Sequence, residues 1–108
     1  MKELTLLLVC AVLVAGASQA LAGDAGEGRK LARKCQTCHG LDGIAKMPDA
    51  PHIAGESQIY LESQLKAFRS GKRQHEIMSV IAKDLSDAEI GDLAAWYASI
   101  EITAKMPE

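Results

Sequence analysis

Cys35-Gln36-Thr37-Cys38-His39 is the stretch on which the reading of this chain turns. Two thiols three residues apart lie on one face of a helical turn, and His39, four residues after Cys35, projects from the same side. A redox-active CxxC site of the thioredoxin kind expects alternating strands and helices around it, and no strand-like run occurs nearby. Zinc asks for four ligands, whereas the other histidines, His52 and His75, are not paired at ligand spacing. The C-x-x-C-H spacing reads instead as covalent haem attachment, one sulfur for each of two vinyl groups and the imidazole for the iron, with a disulfide and zinc as the alternatives.

Upstream, Lys2 precedes an apolar run from Leu4 to about Ala17, and Ala20-Leu21-Ala22 has the small-x-small pattern of a signal-peptidase site. Residues 1–22 are therefore expected to be a cleaved export signal, with 23–108 as the mature domain in the periplasm. Thr5, Gly16, Ser18 and Gln19 leave the apolar run short of the roughly 20 residues of a spanning helix, so no membrane span is expected in the mature form. Cys10 sits too early in the run, behind bulky Val9, for a lipoprotein anchor, and is expected to leave with the signal.

Removing 22 of the 108 residues leaves 86, enough for one small domain. The whole chain has 12 Lys plus Arg against 14 Asp plus Glu, a net charge of −2 with no long single-sign block, which argues against nucleic acid as a partner. Tyr60, Phe68, Trp96 and Tyr97 are its four aromatics. Chains this short often lean on a disulfide, a metal or another staple, and the thin aromatic content asks for something besides side chains at the centre.

Helical periodicity carries the rest. Gly28, Leu31, Ala32 and Cys35 predict a first helix over 25–36. Three glycines and two prolines between Gly40 and Gly55 predict a long irregular loop. Ser57 caps a second helix with Tyr60, Leu61, Leu65 and Phe68 on its apolar side, ended by Gly71. A short helical piece over 77–83 follows. Ser86-Asp87-Ala88-Glu89 is a capping box with Leu85 and Ile90 as the staple, and Ile90, Leu93, Ala94, Tyr97 and Ile100 form the stripe of a last helix flanked by Trp96. These aromatics are expected to be ordinary core, and the tail from Ile102 to be frayed.

Cys35-Gln36-Thr37-Cys38-His39-Gly40, then Pro51-His52-Ile53-Ala54-Gly55, then Met78, Leu85-Ser86-Asp87 and Leu93-Ala94-Ala95-Trp96-Tyr97, taken in this order, resemble the class I c-type cytochromes, small bacterial periplasmic proteins with one haem. The resemblance spans nearly the whole mature chain. It implies an all-α fold of three to five helices wrapped around one covalent haem c, with N- and C-terminal helices crossing where Gly28 lets Trp96 or Tyr97 approach. It also implies His39 and Met78 as axial ligands, and a Pro51 carbonyl that accepts the hydrogen bond of the proximal histidine.

Reach also favours Met78 as the sixth ligand. Met47 lies only eight residues beyond His39 and Met106 is in the tail, whereas Met78 follows a full helix and a turn. A neutral thioether favours ferrous iron and suits a carrier. His75 is the rival ligand, and its flanking Gln74 and Glu76 predict an exposed, silent side chain instead. His52 is expected in the loop near the haem edge, and Leu31, Leu65, Phe68, Ile81 and Leu93 against the haem plate. The function that follows is one-electron transfer with transient redox protein partners, which Lys34, Lys46, Lys72 and Arg73 could steer. Ser70-Gly71-Lys72 and Ile77-Met78 leading into Ile81-Ala82-Lys83 also resemble the haem subunit of flavocytochrome c sulfide dehydrogenases, which makes a flavoprotein subunit the alternative partner. A gas sensor or peroxidase would need an open sixth position.

Overall fold

The structure, a computed structural model, describes residues 23–108; the expected export signal and Cys10 lie outside the described residues. Five α-helices follow one another, with no strand among the described residues: α1 (Ala25–Leu31), α2 (Gln36–His39), α3 (Gln58–Ser70), α4 (Met78–Lys83) and α5 (Asp87–Ser99).

Local chemistry sets most of the ends. Asp24 caps α1 by accepting from the Glu27 N–H, and Ser57 caps α3 by accepting from the Tyr60 N–H. Gly71 closes α3 in the left-handed conformation at φ 82°. The capping box of α5 is complete: the Ser86 hydroxyl accepts from the Glu89 N–H, and the Glu89 carboxylate accepts from the Ser86 N–H. Leu85 and Ile90, the expected staple, are both buried.

The first helix departs from its expected span. Instead of continuing to Gln36, the chain tightens into a 3₁₀ turn at Ala32–Lys34, where Cys35 N–H bonds back to the Ala32 carbonyl, and α2 restarts at Gln36. The i→i+3 bonding rotates the Cys35–His39 segment relative to α1, a change of phase that apolar periodicity cannot reveal.

Helices α1 and α5 cross at Gly28, a buried position where a Cβ would run into the Asp92 carbonyl and come within 2.9 Å of Trp96 Cβ. What Gly28 admits is thus the α5 backbone at Asp92 together with Trp96. Asp92 also accepts the Asp24 N–H through its carboxylate at 2.8 Å, tying the start of α1 to the same turn of α5. Helix α3 packs against α4 and α5, and Arg69 fastens its end by donating to the Leu85 carbonyl and pairing with Asp87.

The core gathers Ala32, Leu61, Phe68, Ala82, Leu85, Ile90, Leu93, Ala94 and Tyr97. Of the large side chains among the described residues, only Ile90 is fully buried. Tyr60, expected on the inner face of α3, is 48% exposed. It stands at the N-terminal end of that helix and lines a cavity.

Candidate functional site

That cavity has a volume of about 370 Å³ and is lined mainly by apolar side chains: Leu61, Leu65 and Phe68 from α3, Met78 and Ile81 from α4, and Leu93, Ala94 and Tyr97 from α5. Cys35, Cys38 and His39 line it from the other side. Its size falls within the roughly 300–1,000 Å³ typical of cofactor sites. Of the side chains expected against the plate, Leu65, Phe68, Ile81 and Leu93 are there. Leu31 is not; the 3₁₀ turn leaves it packed on the core instead.

The loop between α2 and α3 closes the proximal side. Gly43, at φ 74°, accepts the N–H groups of Ile53 and Ala54 at 2.8 and 3.0 Å, and a Cβ there would lie 2.6 Å from the Ala54 nitrogen. Lys46 N–H donates to the Cys38 carbonyl at 2.8 Å, and Ala45 N–H donates to His52 Nδ1 at 2.8 Å. This folding-back delivers the Pro51 carbonyl to His39, whose Nδ1 lies 2.9 Å from it. A proton on Nδ1 leaves Nε2 as the ring nitrogen with a lone pair. His39 is 8% exposed and is the one buried polar or charged residue among those described.

Two residues read from the sequence as plain core do more than fill space. Tyr97 donates its buried hydroxyl to the Gly40 carbonyl at 3.0 Å, and Trp96 donates its indole N–H to the Leu41 carbonyl at 2.9 Å. Together they pin the two residues that follow His39 to α5. The signal available in the sequence was chemical: a buried Tyr or Trp needs a partner for its polar atom. Burial pushes the Tyr97 hydroxyl well above the usual tyrosine range, with Cys35 adding to the effect, so it stays protonated as a donor.

Burial likewise pushes the Cys35 thiol up, against the pull of a hydrogen bond with Tyr97. A dithiol built for exchange chemistry has its thiol pKa lowered, the opposite direction. Among the described residues no group of three or more His, Cys, Asp and Glu side chains gathers as a metal site. What remains is an apolar slot with two thiols, an oriented imidazole and a thioether on its walls, a donor set that fits a flat, iron-bearing macrocycle held through sulfur.

The chain belongs to the cytochrome c family. The family match covers residues 25–101. Cytochrome c-554(548) of Halomonas halodenitrificans is 43% identical over 83 residues, 74% of this chain and all of the relative. A protein of Thiomonas intermedia described as a thiosulfate dehydrogenase electron acceptor is 38% identical over 76 residues, 68% of this chain and 35% of its own length. The crystal structure of reduced recombinant cytochrome c4 from Pseudomonas stutzeri superposes with a TM-score of 0.70 at 32% identity, over 74% of this chain and 47% of that one. The chain thus spans about half the length of the cytochrome c4 it matches. Family membership makes covalent haem c the cofactor and electron transfer the activity, and the slot between α2, α3, α4 and α5 is where this chain has room for the group.

Methionine placement separates the candidates only in part. Met47 and Met78 both line the cavity, whereas Met106 is 81% exposed in the tail. Met78 packs against the buried core, while Met47 is 39% exposed on the loop. His75 lines the cavity, but its Nδ1 already accepts the N–H groups of Ile77 and Met78, each at 3.2 Å. Of the expected cationic ring, Lys34 and Arg73 reach the cavity, with Arg73 lying over the Phe68 ring at 4.5 Å from its centroid. Lys46 pairs with Asp42 instead.

Proposed function

We propose that this cytochrome works in the periplasm as a one-electron carrier, exported by residues 1–22 and holding haem c through Cys35 and Cys38 with His39 and Met78 on the iron. The observation that carries the ligand reading is the placement of His39, oriented by Pro51, and Met78, packed on the core, in the walls of one apolar cavity. The bound haem supplies a one-electron iron couple. The polypeptide does the rest. Pro51 fixes the imidazole so that its lone pair is presented without rotation, and the hydrogen bond raises the basicity of the ring. The walls formed by Leu61, Leu65, Phe68, Ile81 and Leu93 exclude water and keep the dielectric low. With a side chain on each side of the iron, no position is left for substrate.

Partners are redox proteins that bind briefly. The relative described as an acceptor for thiosulfate dehydrogenase supports a donor of the sulfur-oxidising class. Met47, Tyr60 and Ile77, all exposed and all lining the cavity, give its mouth an apolar rim on which such proteins can settle. The same rim supports the second reading, a haem subunit seated on a flavin-bearing partner, and co-purification with a flavoprotein from native periplasm is its test.

Carbon monoxide distinguishes a carrier from a gas sensor or peroxidase. The reduced protein at neutral pH is expected to show no change in its Soret band under carbon monoxide, because both axial positions are filled. A prompt shift at low concentration would overturn the carrier reading.

A further inference from the structure

His75 stands where a helix cap stands. Its carbonyl accepts the Ser79 N–H at 3.0 Å, the first i→i+4 bond of the turn that runs into α4 (Met78–Lys83), and its Nδ1 accepts the N–H groups two and three residues on, Ile77 and Met78. Counted from the His75–Ser79 bond, in the turn that precedes α4 itself, these are the second- and third-residue donors that a capping side chain serves. The contact is reciprocal, because Ser79 Oγ accepts the His75 N–H at 3.0 Å, one residue beyond the place from which the second partner of a capping box bonds back. Ile77, the residue directly before α4, makes no side-chain cap hydrogen bond of its own. A histidine is a poor capping residue by type, since only an unprotonated Nδ1 can accept, and nothing in the sequence marks it. Among the described residues it is the one side chain that bonds the backbone nitrogen of Met78.

We propose that His75 is a positioning residue for Met78: by capping α4 it fixes the backbone from which the Met78 thioether enters the cavity. The inference rests on Met78 being the sixth ligand. Helix α4 has six residues, and Ile77 just before it and Val80 in its first turn are exposed, at 47% and 70%, so the bonds from His75 add to the hold that the packing of Met78 on the core gives the start of the helix. Without the cap, the first turn frays and the thioether spends more time away from the iron, leaving the sixth position open to an external ligand.

The test uses the full haem-loaded protein and free imidazole as the competing ligand for ferric iron. His75→Ala is expected to bind imidazole about five-fold more tightly than wild type, the equilibrium equivalent of a typical lost helix cap, with the weak near-infrared thioether-to-ferric band still present. His75→Asn, which restores a capping side chain, is expected to return the affinity to the wild-type value. Wild-type imidazole affinity in His75→Ala, or failure of His75→Asn to rescue, would overturn the inference. Met78→Ala separates the two levels, because it should abolish the band. If the band survives in Met78→Ala, the ligand reading falls and the positioning role with it. If the band is lost there while His75→Ala behaves as wild type, only the positioning role falls.

Discussion

A chain carrying both Cys35→Ala and Cys38→Ala, purified free of haem, is expected to lose its cooperative thermal transition. The core explains why. Ile90 is the only large side chain that is fully buried among the described residues, and the apolar residues around it face a cavity of about 370 Å³. At about 24 cal/mol per Å³, keeping such a space empty costs on the order of 9 kcal/mol, an upper figure because water can enter at the mouth. Total stabilities of small domains are only about 5–15 kcal/mol, so the apo fold has little or nothing left. Helix α5 is crossed by α1, and Arg69 of α3 donates to the Leu85 carbonyl, so bringing the α3 and α5 walls together would disturb these contacts. Circular dichroism of the haem-free variant should show a shallow melt, with residual helix in α5 sustained by its capping box. A sharp, native-like melt would mean that the polypeptide builds its own core and that the cavity closes at little cost.

Gly28→Ala should be the most damaging single methyl group that can be added to the α1–α5 crossing. Ordinary helix propensity predicts a gain of about 1 kcal/mol from replacing a helical glycine by alanine. Here the new Cβ meets the Asp92 carbonyl, a backbone atom within α5 that cannot rotate out of the way, and Trp96 Cβ at 2.9 Å. Overpacking of this kind costs about 3 kcal/mol at the upper end of its usual range, so the clash outweighs the propensity. The net loss of about 2 kcal/mol corresponds to a fall in Tm of about 10 °C for a domain this small. Denaturation of the haem-loaded variant checks the sign. An unchanged or raised Tm would show that α1 and α5 can separate freely, and that their crossing does not hold the cavity open.

The features legible in the sequence were those set by neighbours in the chain. Ser57, Gly71 and the Ser86-Asp87-Ala88-Glu89 box end or start helices through bonds within three or four residues, and each does so in the structure. The haem motif was readable from fixed residue types at fixed spacing, Met78 in the cavity wall from reach and from the family resemblance, and the Pro51 carbonyl on His39 from the resemblance alone. Features that depend on partners far along the chain were not. The break of the first helix at Ala32–Lys34 comes just before Cys35 and His39, which line a cavity shared with α3 and α5, elements that α1 periodicity knows nothing about. Tyr60 has the right spacing for an inner face, yet it is half exposed and lines the cavity rather than the packed core. Trp96 and Tyr97 reach carbonyls 55 and 57 residues away. His75 caps locally, but by a side chain whose capping capacity depends on which ring nitrogen holds the proton.

Covalent attachment through Cys35 and Cys38 is the premise on which the carrier function, the stability and the ligand geometry all stand. It is tested most directly by the intact mass of the protein isolated from periplasm, read before and after acid-acetone extraction. The addition of two thiols across two vinyl groups loses no atoms, so the expected mass is that of the chain from Gly23 plus one whole haem, unchanged by extraction. A bare polypeptide mass after extraction, or a protein carrying zinc in place of haem, would contradict it.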